Sequence, residues 1–147
     1  MREIPQHCET TTNVPRISLR DRKSRSEAVF RNPNRQQIRK IEIDGCVITE
    51  NELRKCDYLI IAPDQIERYV ELKGSDIIAA IEQLKGTMEY LYGGHNKKQT
   101  EKISYVVCTH VSPAINTTIQ VKKVHFKRSY NSELIVTKHL EINLGSP

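Results

Sequence analysis

Asp57, Glu71 and Lys73 are the residues whose types and spacing could do chemistry. They fall in "CDYLIIAPDQIERYVELKGSDIIAAIEQL", residues 56–84. Side chains alternate along a strand, so Tyr69, Glu71 and Lys73 share one face while Val70 and Leu72 take the other. In the preceding apolar run, Asp57, Leu59 and Ile61 form one set and Tyr58 and Ile60 the second. If the two runs pair across a Pro63-Asp64 turn, Asp57 lies near Glu71, with Lys73 beyond it. Two carboxylates held close repel unless a proton or cation sits between them. A divalent ion resolves this, and oxygen-only ligands point to Mg2+ or Mn2+ over zinc. A lysine beside such a pair can orient or deprotonate a water, or neutralise charge developing on a phosphate. The plainer reading is a surface ion pair, because Glu-X-Lys is a common triplet. Its setting favours the chemical reading: Asp57 opens the preceding strand, and Gly74 opens a helix directly afterwards.

The elements around this stretch must hold it in place. Cys56 to Ala62 and Ile66 to Leu72 read as two strands joined at Pro63-Asp64. A helix follows Gly74, with Ser75 as N-cap and Asp76 in the first turn. Ile77, Ile81, Leu84, Met88 and Leu91 make one apolar stripe along it, and Gly93-Gly94 ends it. "ISYVVCTHV", Ile103 to Val111, suits a strand covered on both faces. Upstream, residues 1–15 lack periodicity and read as an irregular arm. Ile17 to Phe30 reads as a short basic helix starting at Ser24 or Ser26, broken at Pro33. "IRKIEIDGCVIT" suggests a hairpin turning at Asp44-Gly45, with Cys46 to Ile48 as its second arm. Val121 to Phe126 and Leu134 to Leu140 read as later strands, or as one strand and a short helix. The pattern predicts an α/β domain over 16–147 with a mixed central β-sheet flanked by helices.

Composition bounds what such a domain can be. A chain of 147 residues is about one domain's worth. No apolar run approaches a membrane span, and Arg2, Glu3, Pro5 and His7 occupy the place of a signal's hydrophobic region, so a cytoplasmic protein is expected. Cys8, Cys46, Cys56 and Cys108 show no zinc spacing and read as isolated buried thiols. The five histidines show no metal-binding grouping. Charge is unevenly spread: ten basic residues against four acids in 1–40, seven against twelve in 41–101, and six against two in 102–147. A basic surround and an acidic centre suit a protein that holds a polyanion and binds cations at its reactive point; an ordinary solvated surface is the bland alternative.

Asp57 followed by Glu71-Leu72-Lys73 resembles the motif of the restriction-endonuclease-like, or PD-(D/E)XK, nuclease superfamily. The resemblance runs from about Ser24 to Val111 and implies that superfamily's α-β-β-β-α-β core. It further implies that Asp57, Glu71 and the Leu72 carbonyl bind Mg2+ or Mn2+, and that Lys73 positions the attacking water. Gln83 matches a glutamine that several branches carry on the following helix; a solvated helix residue is the alternative. Glu27, in the candidate first helix, is the expected fourth ligand. Cys56 stands where the motif's name has proline.

The resemblance implies a metal-dependent nuclease (an endonuclease or exonuclease), with DNA favoured over RNA as substrate, in defence, repair or junction resolution. Arg20, Arg22, Lys23, Arg25, Arg31 and Arg35 form one expected phosphate grip. Lys122, Lys123, Lys127 and Arg128 form the other. A chain of this size is expected to act as a homodimer or within a larger complex. The competing reading is a catalytically silent subunit that keeps the nuclease fold and binds nucleic acid; it is expected to lose one of Asp57, Glu71 or Lys73.

Overall fold

Runs of β-branched and aromatic residues at period two become strands, and the long apolar stripe becomes a helix. The structure is a computed structural model and describes residues 1–21, 25–73 and 75–145. The strands among these residues are β1 (Glu9–Thr12), β2 (Arg16–Arg20), β3 (Glu27–Arg31), β4 (Ile38–Glu42), β5 (Tyr58–Ile61), β6 (Glu67–Leu72), β7 (Lys102–Val107), β8 (Ser132–Thr137) and β9 (Leu140–Asn143). Two helices, α1 (Ile77–Tyr92) and α2 (Asn116–Tyr130), complete the fold. The larger sheet is mixed, in the order β1-β4-β5-β6-β7-β8. Its neighbours are antiparallel as far as β6, while β6, β7 and β8 run parallel. A smaller sheet, β2-β3-β9, forms a second layer.

The core divides by face of the larger sheet. Leu59, Ile61, Tyr69 and Val106 pack with Ile81, Leu84 and Met88 of α1 and with Phe126 and Tyr130 of α2. Ile60, Val70, Leu72, Tyr105 and Val107, on the other face, pack with Leu19, Phe30 and Leu140 of the smaller sheet. β6 is buried along its whole length, as a strand covered on both sides must be.

α1 follows its expected stripe, for Ile77, Ile81, Leu84, Met88 and Leu91 are all buried. Its N-cap lies one residue later than expected: Asp76 accepts from the Ala79 N–H at 3.0 Å. Gly93 caps the other end in the left-handed region, with φ of 56°. The turn at Pro63-Asp64 joins β5 to β6 in an antiparallel pair, as the alternation predicts.

Four expectations are corrected. In place of the helix expected over Ile17 to Phe30, the described residues form the antiparallel strands β2 and β3, because Ile17 and Leu19 pair with Phe30 and Ala28 and bury against the larger sheet. Ser24 lies outside the described residues. Residues 1–15 are no irregular arm, since β1 pairs with β4 at the sheet edge and Arg39 clamps Glu9 through two bonds of 2.9 Å. The turn at Asp44-Gly45 forms, with Gly45 at φ 84°, but Cys46 to Ile48 folds back instead of returning as a strand. Val47 and Ile48 are buried there, and β4 pairs with β5. Finally, Cys8 and Cys46 are not isolated thiols; they form a disulfide with Cα atoms 5.6 Å apart. Cys56 and Cys108 are buried and free, as expected. Val121 to Phe126 lies inside α2, and Leu134 to Leu140 divides between β8 and the start of β9. Among the described residues no helix is long and apolar enough to cross a membrane.

Candidate active site

The β5–β6 register pairs Tyr58 with Val70, which sets Asp57 against Glu71 at one end of the sheet. Three bonds fix Asp57. Its N–H reaches the Val70 carbonyl at 3.1 Å, its carbonyl accepts from Ile43 at 3.0 Å, and Oδ2 accepts from the Leu72 N–H at 2.8 Å. β6 ends at Leu72; the next residue, Lys73, donates its N–H to the Val107 carbonyl at 2.8 Å and stays bound to β7.

Glu71 is only 5% exposed, and its Oε1 has no hydrogen-bond partner. A buried carboxylate oxygen without a partner costs a few kcal/mol unless something else satisfies it. Burial pushes the Glu71 carboxyl up to about 9, the Asp57 charge adds to the rise, and the Lys73 ammonium opposes it. Asp57 is pushed up to about 6, first by burial, against the pull of the Leu72 N–H. The two carboxyls stand close enough for a proton on Glu71 to be shared with Asp57. They titrate as a pair and together keep a proton at neutral pH in the absence of a cation. An orphaned oxygen beside a second carboxylate forms a hard donor pair that fits Mg2+ or Mn2+. Asp21 and Asp44 add negative charge around the pair.

A row on α1 delivers Asp57 to this position. The Gln83 side-chain oxygen accepts from the Lys55 N–H at 2.6 Å, and Thr87 Oγ1 accepts from the Cys56 N–H at 2.7 Å. Between them Gly86 lets the incoming chain lie against the helix; a Cβ there would stand 2.6 Å from the Arg54 Cβ and 2.8 Å from its carbonyl oxygen. Gln83, expected as a catalytic residue, spends its side-chain oxygen on the backbone N–H of Lys55, two residues before Asp57. Gly86 and Thr87 escaped the sequence reading, although a polar residue at i+4 from Gln83 on an otherwise apolar stripe is a visible signal.

The other expected residues divide. Glu27 lies on β3 and not on a helix, and Ser18 at 3.0 Å, Arg20 at 2.6 Å and Arg16 at 3.7 Å hold it. These partners, Ser18 first, draw its carboxyl below the usual range, so its charge is already met where it stands. Arg31 pairs with Glu141, and Lys122 with Glu82 at 3.0 Å. Arg25, Arg35, Lys127 and Arg128 are exposed, and Lys123 is half-buried. Arg22 and Lys23 lie outside the described residues. The two expected grips occupy opposite layers, because α2 covers one face of the larger sheet and the β2–β3 hairpin the other. A further group, His7 with Cys8 and Cys46, has ligand atoms within 4.8 Å of one another, but the disulfide consumes both sulfurs.

Compared with known proteins, the chain matches no family model, no curated protein and no solved structure.

Proposed function

We propose that this chain is a divalent-metal-dependent nuclease that hydrolyses phosphodiester bonds of nucleic acid, DNA in the first place. The observation that carries this reading is the buried Glu71 oxygen without a partner, beside Asp57 and under the influence of Lys73. Asp57 and Glu71 would hold Mg2+ or Mn2+, with the Leu72 carbonyl as the third donor. When bound, the cation supplies positive charge against the charge developing on the phosphate. Lys73 hydrogen-bonds the attacking water and orients it toward phosphorus. Asp57 and Glu71 would give up the proton they share in order to hold the cation. Gln83 and Thr87 hold the backbone that carries Asp57, so the pair is preorganised.

Topology supports the resemblance to restriction-endonuclease-like nucleases. β4, β5 and β6 are successive antiparallel strands, α1 follows, and β7 returns parallel to β6. This order agrees with the β-β-β-α-β portion of the expected core, and β2 and β3 stand where its leading helix is expected. A homodimeric or complex-bound state and a cytoplasmic location belong to the same proposal. The location requires that the fold survive reduction of Cys8–Cys46, because reducing compartments open such bonds.

The test offers duplex, single-stranded and branched DNA and RNA to the purified protein with Mg2+, Mn2+ or EDTA, beside Asp57→Ala and Lys73→Ala. Metal-dependent cleavage by the wild type alone is expected. Cleavage that persists in either variant removes the site, and salt-sensitive binding without cleavage of any substrate transfers the proposal to a silent nucleic-acid-binding subunit.

A further inference from the structure

A cleft of about 660 Å³ opens at the end of the larger sheet where Lys73 stands. One wall is β3, with Ser26, Glu27 and Val29; the floor is the end of β7 at Cys108 and Thr109; the turn between β8 and β9 brings Lys138 and His139. Two bonds join the cleft to the candidate site. Ser26 Oγ donates to the Lys73 carbonyl at 3.2 Å, and Lys73 in turn donates to the carbonyl of Val107, the residue before Cys108.

The charge in the cleft is net positive once ion pairs are removed. Its two acids are already met, Glu27 by Arg20 and Arg16, and Glu141 by Arg31. Arg25 and Lys138 also line it, and neither makes a salt bridge among the described residues. Among the described lining residues there is no Phe, Tyr or Trp, and His139 carries the single ring offered to a base. Unmatched cations beside so little ring surface suit phosphates read without regard to sequence. Its size is that of a site for a small ligand, about 300–1,000 Å³, which suits a short stretch of one strand and not a duplex.

We propose that this cleft binds the sugar-phosphate backbone of a single strand and leads it to Asp57, Glu71 and Lys73, with Arg25 and Lys138 as the phosphate contacts. The inference rests on the nuclease reading for its endpoint and concerns a surface separate from the acid pair. It moves the grip away from α2, whose basic residues lie on the opposite layer.

The test is fluorescence anisotropy with a short labelled oligothymidine in EDTA, over a series of salt concentrations. Arg25→Ala/Lys138→Ala is expected to weaken binding about tenfold and to flatten the salt slope by about 1.4, the value for two lost contacts to a single strand. Lys138→Arg keeps the charge and is expected to keep the slope. Lys123→Ala/Lys127→Ala on α2 tests the competing surface. Loss of binding in the α2 variant with none in the cleft variant overturns the proposal, as do tighter binding of a duplex and no detectable binding at low salt. Because EDTA excludes cleavage, failure of the nuclease reading would leave this binding intact and is seen separately in the hydrolysis assay.

Discussion

Glu67 and Glu71 lie four residues apart on β6, on the same face, and both are buried. Tyr69 donates to one Glu67 oxygen at 2.6 Å and Tyr92 to the other at 2.5 Å. The Lys102 ammonium stands nearby, over the Tyr92 ring at 4.7 Å, and donates to the carbonyls of Thr100 at 2.9 Å and Tyr130 at 3.1 Å. Glu71, at the far end of the strand, has a second acid as neighbour and one oxygen with no partner. Burial of an acid is therefore not the mark of a site. A closed network like that of Glu67 holds the fold together, and an open one like that of Glu71 keeps a proton and is the feature on which the proposed cation site rests.

The largest expected effect is a double dissociation between these ends. Glu71→Gln lowers metal-dependent hydrolysis about a thousandfold or more, while the metal-free protein becomes more stable. Glu67→Ala leaves two buried tyrosine hydroxyls unpaired and lowers stability by about 3 kcal/mol, with hydrolysis per folded molecule unchanged. Thermal melts and single-turnover assays on both variants check this, and equal loss of activity in the two erases the distinction.

Next comes Gly86→Ala, which drives a Cβ into the Arg54 backbone. It is expected to cost about 1–3 kcal/mol and to lower activity by displacing Asp57, which crystallography and kinetics on the variant would reveal. A variant as active as the wild type would detach α1 from the site.

pH sharpens the comparison further. The folded-state Glu71 carboxyl is raised to about 9 from an ordinary 4.5. Between those values the folded chain binds more protons than the unfolded one, so metal-free stability falls as pH rises from 4.5 toward 9. Denaturant titrations in EDTA are expected to show a loss on the order of 1–3 kcal/mol across that window, reduced in Glu71→Gln to the Asp57 share below about pH 6. A wild-type profile with no such fall contradicts the buried, proton-holding pair.

The smallest effect concerns positioning. Gln83→Ala is expected to cost about 1 kcal/mol and less than tenfold in kcat, with the metal dependence and pH profile retained. Activity lost as completely as in Lys73→Ala would make Gln83 catalytic instead.

Local signals were the ones that could be read from residues alone. Pro63-Asp64, the stripe of α1 and Gly93 each act within a few residues, and together they set Asp57 against Glu71. Long-range choices were hidden. The alternation of Ile17 and Leu19 breaks off in a basic, serine-rich stretch, so the β2–β3 hairpin passes for a helix. β1 is "ETTT", polar and short, and becomes a strand only because β4 offers an edge. Cys8 and Cys46 are 38 residues apart, and only the fold-back after Asp44 brings them together. The missing partner of Glu71 was likewise invisible, since spacing reports which face a side chain takes but not what surrounds it.

The most direct measurement is Mn2+ binding to the metal-free protein, followed by electron paramagnetic resonance and calorimetry in two buffers of different ionisation enthalpy. Saturable binding with proton release is expected, weakened at least about tenfold in Glu71→Gln. Binding unchanged by Glu71→Gln, or no binding by the wild type, would contradict the proposed cation site.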